Sequence, residues 1–120
     1  MKLRLKSNSI RIRLTKTEVS TLANTGYLED KITFVNNAFV YALQTIDKSE
    51  LSATLDTNKI TIFIPSAFIK DWPDNDVIGL KGTMTTNNES LYLLVEKDFV
   101  CLDETTEDQS DNYANPNSTC

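Results

Sequence analysis

Two stretches of this chain, MKLRLKSNSIRIRLT (Met1 to Thr15) and LSATLDTNKITIFIP (Leu51 to Pro65), superimpose without a gap at an offset of fifty residues. This recurrence constrains the fold more than any other feature of the sequence. Leu5/Leu55, Asn8/Asn58, Ile10/Ile60 and Ile12/Ile62 are identical. Both stretches alternate apolar and polar residues about a central polar pair, the pattern of a β-hairpin with one oily face. In the first, a turn at Ser7-Asn8 sets Leu5 opposite Ile10, Leu3 opposite Ile12 and Met1 opposite Leu14, with asparagine tolerating the left-handed backbone of a tight turn. In the second, Thr57-Asn58 sets Leu55 opposite Ile60 and Leu51 opposite Ile64.

Each hairpin runs into a helix. Thr15-Lys16-Thr17-Glu18 is a capping box, Leu14 and Val19 are spaced for a hydrophobic staple, Leu22 and Ala23 continue the apolar stripe, and Gly26 supplies the left-handed stop. Lys31 to Val35 and Ala38 to Ile46 then form a hairpin around Asn36-Asn37, with Phe34 facing Phe39 and Ile32 facing Tyr41. In the second half a short helix covers about Ser66 to Trp72 and stops at Pro73, with Phe68, Ile69 and Trp72 as core contacts. Strands Val77 to Met84 and Leu91 to Val100 follow, joined by a polar loop from Thr85 to Ser90.

The expected fold is α+β: a hairpin-helix-hairpin unit present twice (1–47 and 51–100) in one domain, 1–102, with two helices. Its mostly antiparallel sheet is expected to curl or to close into a barrel, since closure removes the edges that eight strands would otherwise expose. Residues 103–120 form an acidic C-terminal segment, packed on the domain or partly disordered.

The polar face of the first hairpin is strongly basic. Its register brings Arg4 opposite Arg11 and Lys2 opposite Arg13, with Lys6 beside them, whereas the second hairpin has Thr54 against Thr61 and Ser52 against Phe63. Like charges directly across a ladder are destabilising, so a negative group belongs there. One source is external: Lys2, Arg4, Lys6, Arg11 and Arg13 can bind a phosphate-bearing small molecule or an acidic protein partner through charge-assisted hydrogen bonds. Another is internal. The formal charge is -5, and Asp103, Glu104, Glu107, Asp108 and Asp111 lie in a tail without Lys or Arg that can fold over the hairpin. The bland alternative is a solvated basic face. Nucleic acid is not expected, because the chain is acidic overall and no aromatic residue interleaves with the basic positions.

The chain contains no His, so acid-base work near neutral pH would need a strongly shifted Glu, Lys or Cys. That argues against an ordinary hydrolase, and no catalytic residue or cofactor is assigned. No apolar run approaches the roughly 20 residues of a membrane span, and a charged, alternating start is unlike a signal peptide. A soluble, cytoplasmic protein is expected. Cys101 and Cys120 with intervening carboxylates lack the His or CxxC pair that structural zinc prefers. Asp103, Thr105, Glu107 and Gln109 alternate as in a Ca²⁺ loop, but Asp108 stands where the turn needs Gly. A Cys101–Cys120 disulfide closing the tail into a loop is permitted by geometry but disfavoured in a cytosolic setting.

KLRLKSNSIRIRLTKTEV near the start and EKDFVCLDETTEDQSDNYANP near the end resemble a family of small uncharacterised bacterial proteins of unknown function, over most of the chain. Architecturally, the doubled hairpin-helix-hairpin also resembles a cyclic shift of the triphosphate tunnel fold. That resemblance implies metal-dependent triphosphate hydrolysis or cyclisation inside a barrel, with Glu-x-Glu-x-Lys on the first strand. Here the strand reads Lys2-Leu3-Arg4-Leu5-Lys6, matching in type only at Lys6, so the metal would fall to Glu96 and Asp98 on the last strand.

Overall fold

The computed structural model describes residues 1–99 and 110–114. The chain runs β1 (Lys2–Lys6), β2 (Ser9–Leu14), α1 (Lys16–Thr25), β3 (Tyr27–Thr33), β4 (Ala38–Ile46), β5 (Ser52–Asp56), β6 (Lys59–Pro65), α2 (Ser66–Asp71), β7 (Gly79–Thr86) and β8 (Glu89–Lys97). A single 3-10 turn, Trp72–Asp74, follows α2.

Both first-position hairpins have the expected registers. Leu5 faces Ile10, Leu3 faces Ile12 and Arg4 faces Arg11 in one, while Leu55 faces Ile60 and Thr54 faces Thr61 in the other. The left-handed backbone falls on Ser7 (φ 51°) and Thr57 (φ 54°), however, and not on the asparagines. Asn8 and Asn58 reach sideways instead. The Asn8 carbonyl accepts from the Tyr92 N–H at 3.0 Å and its amide donates to the Ser90 carbonyl at 2.5 Å; Asn58 does the same to the Val40 N–H (2.9 Å) and the Ala38 carbonyl. Each turn asparagine thereby starts a parallel ladder with a strand from the other half of the chain.

Those ladders decide the architecture. One sheet has the order β1-β2-β8-β7 and the other β3-β4-β6-β5, with β2 parallel to β8 and β4 parallel to β6 at the centres. The first hairpin of each half is thus paired with the last hairpin of the other half. The expectation of one mostly antiparallel sheet closing into a barrel is overturned: among the described residues neither four-stranded sheet closes. The physical reason is that the inner strand of every hairpin is used in a central parallel pair, which leaves β1, β7, β3 and β5 as edges. Where β5 approaches β7 the contact is made through side chains, with Leu51 against Gly82 and the Ala53 N–H 3.0 Å from the Met84 sulfur.

The inner faces of both sheets and the two helices share one core. Ile12, Leu14, Leu43, Ile62, Ile64 and Val95 from the strands pack with Val19, Leu22, Ile69 and Trp72 from the helical segments. The capping box is formed: Glu18 N–H donates to Thr15 Oγ1 and the Thr15 N–H to the Glu18 carboxylate at 3.0 Å, while Gly26 ends α1 with φ 77°. Replacing Thr15 with Ala is expected to cost about 1 kcal/mol, read as a lower urea midpoint at unchanged slope. An unchanged midpoint would show that the tertiary contacts hold this helix end without the cap.

Three local expectations are corrected. The hairpin at Asn36-Asn37 has a longer loop, closed by the Phe34 N–H on the Asn37 carbonyl at 2.7 Å, so Ile32 faces Phe39 and not Tyr41, and β3 begins at Tyr27. Neither asparagine there is left-handed; the Asn37 side chain is engaged by the Ala38 N–H (2.8 Å) and by Asn58 (3.3 Å). The left-handed Asn pair lies instead at Asn87-Asn88 (φ 51° and 66°), so β7 and β8 run to a tight turn where a polar loop was expected. Pro73, with no N–H to continue the α-ladder, sits inside the 3-10 turn. Val100 lies outside the described residues.

Candidate functional site

With Ile10, Ile12 and Leu14 turned inward, alternation places Arg11 and Arg13 on the outer face of the β1-β2-β8-β7 sheet, together with Lys2, Arg4 and Lys6 of β1. All five predicted residues are therefore brought to one face. The parallel register then adds what the hairpin lacks. Arg13 pairs with Glu96 and Arg11 with Leu94, and one carboxylate oxygen, Glu96 Oε1, accepts from Arg11 Nε at 2.6 Å and Arg13 Nε at 2.8 Å. Lys2 Nζ lies 3.0 Å from Asp98 Oδ2.

Among the described residues, the carboxylates that answer the opposed cations are Glu96 on β8 and Asp98 just beyond it. Glu96 and Asp98, weighed as metal ligands, are instead held by arginines and a lysine, and Glu96 opens on the outer face of the sheet. Of the tail acids, only Asp111 is described. Its carbonyl accepts from the Lys16 N–H at 3.0 Å and its carboxylate from Thr17 Oγ1 at 3.1 Å, at the first turn of α1. That position suits an anion, since unpaired backbone amides and the positive end of the helix dipole meet there. The zinc, Ca²⁺ and disulfide readings at Cys101, Asp103, Thr105, Glu107, Gln109 and Cys120, and the placement of Glu104 and Asp108, lie outside the described residues.

Burial pushes the Glu96 carboxyl upward, but hydrogen bonds from Arg11 and Arg13 and their two charges outweigh it and hold the group below the ordinary glutamate range. Gly79, opposite Glu96 in the β7–β8 ladder, leaves that row uncrowded, because a Cβ there would fall 2.3 Å from the Val95 carbonyl oxygen and 2.8 Å from Glu96 Cβ.

Across the same face, the next row reads Arg4-Arg11-Leu94-Lys81 and the one beyond it Lys6-Ser9-Tyr92-Thr83. Arg4, Lys6 and Lys81 are exposed and have no ion-pair partner among the described residues. Arg11, Lys81, Thr83, Tyr92 and Leu94 line a shallow cavity of about 260 Å³. Tyr92 supplies the aromatic ring that the linear sequence did not interleave with the basic residues, and it is 55% exposed. Sequence reasoning missed Tyr92 and Lys81, whose only local signal was their outward parity on the strands.

Fold and site define an α+β domain of hairpins exchanged between its two halves, carrying a cation-rich outer sheet face with an internal carboxylate clamp. The chain belongs to a family of unknown function, DUF7009, whose profile matches residues 1–117. No curated protein and no solved structure matches it. No helix is long and apolar enough to cross a membrane among the described residues.

Proposed function

We propose that this protein is a non-enzymatic module that binds a phosphate-bearing small molecule on the outer face of its first sheet. The observation that carries this reading is the division of labour on the face. Glu96 orients Arg11 and Arg13, while Arg4, Lys6 and Lys81 around them keep their charge available to solvent. An anion placed there gains charge-assisted donors without first breaking the clamp. Two further features fit a specialised surface: both halves share one element order, as copies of an ancestral unit would, and the corresponding face of β5 and β6 carries Thr54 and Thr61 where this one carries Arg4 and Arg11. The low cysteine content, two in 120 residues, fits a cytoplasmic setting.

The test is thermal melting of the full chain and of the double variant Arg4→Glu/Lys6→Glu, with and without millimolar tripolyphosphate at low and moderate salt. A ligand at about 100 times its Kd adds roughly 2.7 kcal/mol of stability, so a rise of several degrees is expected for the native chain. The rise should shrink with added salt and vanish in the double variant. A native protein whose melting ignores tripolyphosphate at low salt, or a variant that responds as strongly, would rule the reading out.

A further inference from the structure

A second site lies on the opposite, inward face of the same sheet, at the C-terminal end of β8. Lys97 continues the inward alternation of Leu93 and Val95, a position where an apolar residue would ordinarily sit, and it is only 4% exposed. Its ammonium donates to the Asn75 carbonyl at 2.6 Å and lies 4.9 Å from the Tyr113 ring centre and 5.7 Å from that of Trp72. No carboxylate of the described residues is within ion-pair distance. Burial pushes its pKa below the ordinary lysine range, against an opposing pull from Asp76.

This amine is next to open space. A cavity of about 490 Å³ is lined by Lys97, Asn75, Phe99 and Tyr113, with Asp74 and Asp76 on its wall. The Nζ atom lies between two of those lining residues, Asn75 and Tyr113. A lysine kept only as a structural cation would be expected beside a carboxylate, whereas this one has a carbonyl and two ring faces. Aromatic walls suit an apolar ligand, and the two aspartates disfavour an anionic one. A desolvated lysine in such a pocket is the arrangement that makes an amine nucleophilic at neutral pH.

We infer that the cavity beside Lys97 captures small neutral aromatic aldehydes by forming an imine with the Lys97 side chain. After the ammonium gives one proton to water, the Nζ lone pair attacks the carbonyl carbon and forms the C–N bond as the carbonyl π electrons move to oxygen, and a proton passes from nitrogen to that oxygen. The resulting carbinolamine loses its oxygen and two protons as water, leaving C=N. Nothing is oxidised or reduced, and water regenerates both partners.

The experiment is reductive trapping. The folded full chain is treated at pH 7 with substoichiometric benzaldehyde and cyanoborohydride, whose hydride converts the imine into a stable secondary amine, and labelled lysines are located by peptide mass spectrometry. Because burial favours its neutral form, Lys97 is expected to label faster than the exposed Lys81 and Lys70, and Lys97→Arg should abolish that fast fraction without a new site replacing it. In urea the preference should disappear. Labelling that follows solvent exposure, with Lys97 slower than Lys81, would overturn the inference, as would a preference that persists in urea.

Discussion

Replacing Glu96 with Gln is expected to make the protein less stable and a better binder of anions at the same time. The carboxylate neutralises two guanidiniums that face two further cations across the β1–β2 ladder, and glutamine keeps the shape while removing the charge. Breaking a fully buried ion pair costs about 3–5 kcal/mol and a surface pair about 0–1. Glu96 is nearly buried, but the Arg11 and Arg13 side chains are 34% and 40% exposed, so solvent screens part of the effect. A loss of about 1–2 kcal/mol in urea unfolding follows, near the low end of that range. In tripolyphosphate titrations the freed arginines should tighten binding by roughly fivefold to tenfold, the equivalent of about 1 kcal/mol from one additional charge-assisted bond.

The same carboxylate sets an acid limit. A folded-state pKa below the unfolded value contributes stability that is complete above about pH 4.3, the ordinary glutamate value, and is lost as pH falls through the folded value. The native chain should therefore lose stability more steeply than Glu96→Gln on acidification below about pH 5, and the two should converge at the acid end. Parallel stability curves for the two proteins across that window would contradict the clamp.

Trp72→Ala should be the most damaging single change away from the site. Trp72 is fully buried where the 3-10 turn meets both helices and Lys97 of β8, its ring tilted at 44° against Phe68 with centroids 5.1 Å apart, and its Nε1 donates to the Val77 carbonyl at 2.8 Å. Truncation leaves a cavity that the surrounding strands cannot collapse to fill, at about 3–5 kcal/mol. A domain of ordinary stability has about 5–15 kcal/mol in all, so the variant should be partly unfolded near physiological temperature. Trp72→Phe separates the contributions: it keeps most of the volume and leaves the Val77 carbonyl without its donor, for about 1–3 kcal/mol. If alanine costs no more than phenylalanine, the packing account is wrong and the hydrogen bond is the whole effect.

What was legible in the sequence was local. The alternation of Leu3, Leu5, Ile10 and Ile12 and the two-residue turn lie within fifteen positions, so turn geometry and one-sided burial are enough to determine which residue faces which. Thr15, Glu18 and Gly26 likewise announced the limits of α1, because caps satisfy backbone groups of their own helix. The pattern also placed all five basic residues on one face. It failed where a neighbour outside the segment competed, as at Asn37, whose side chain is held partly by Asn58 and whose turn lengthens accordingly.

The tertiary structure alone decided the partners of those faces. Arg11 and Glu96 are 85 positions apart, and no local period relates them; they meet because β2 enters a parallel ladder with β8. That same pairing, repeated by β4 with β6, decided that the described residues form two open sheets and no barrel, brought Tyr92 beside the basic rows, and buried Lys97 among Trp72 and Tyr113. A strand's own residues dictate its two faces, because side chains alternate. Which strand lies alongside depends on how the two halves bury their oily faces together, and several pairings of the same hairpins satisfy the alternation equally well.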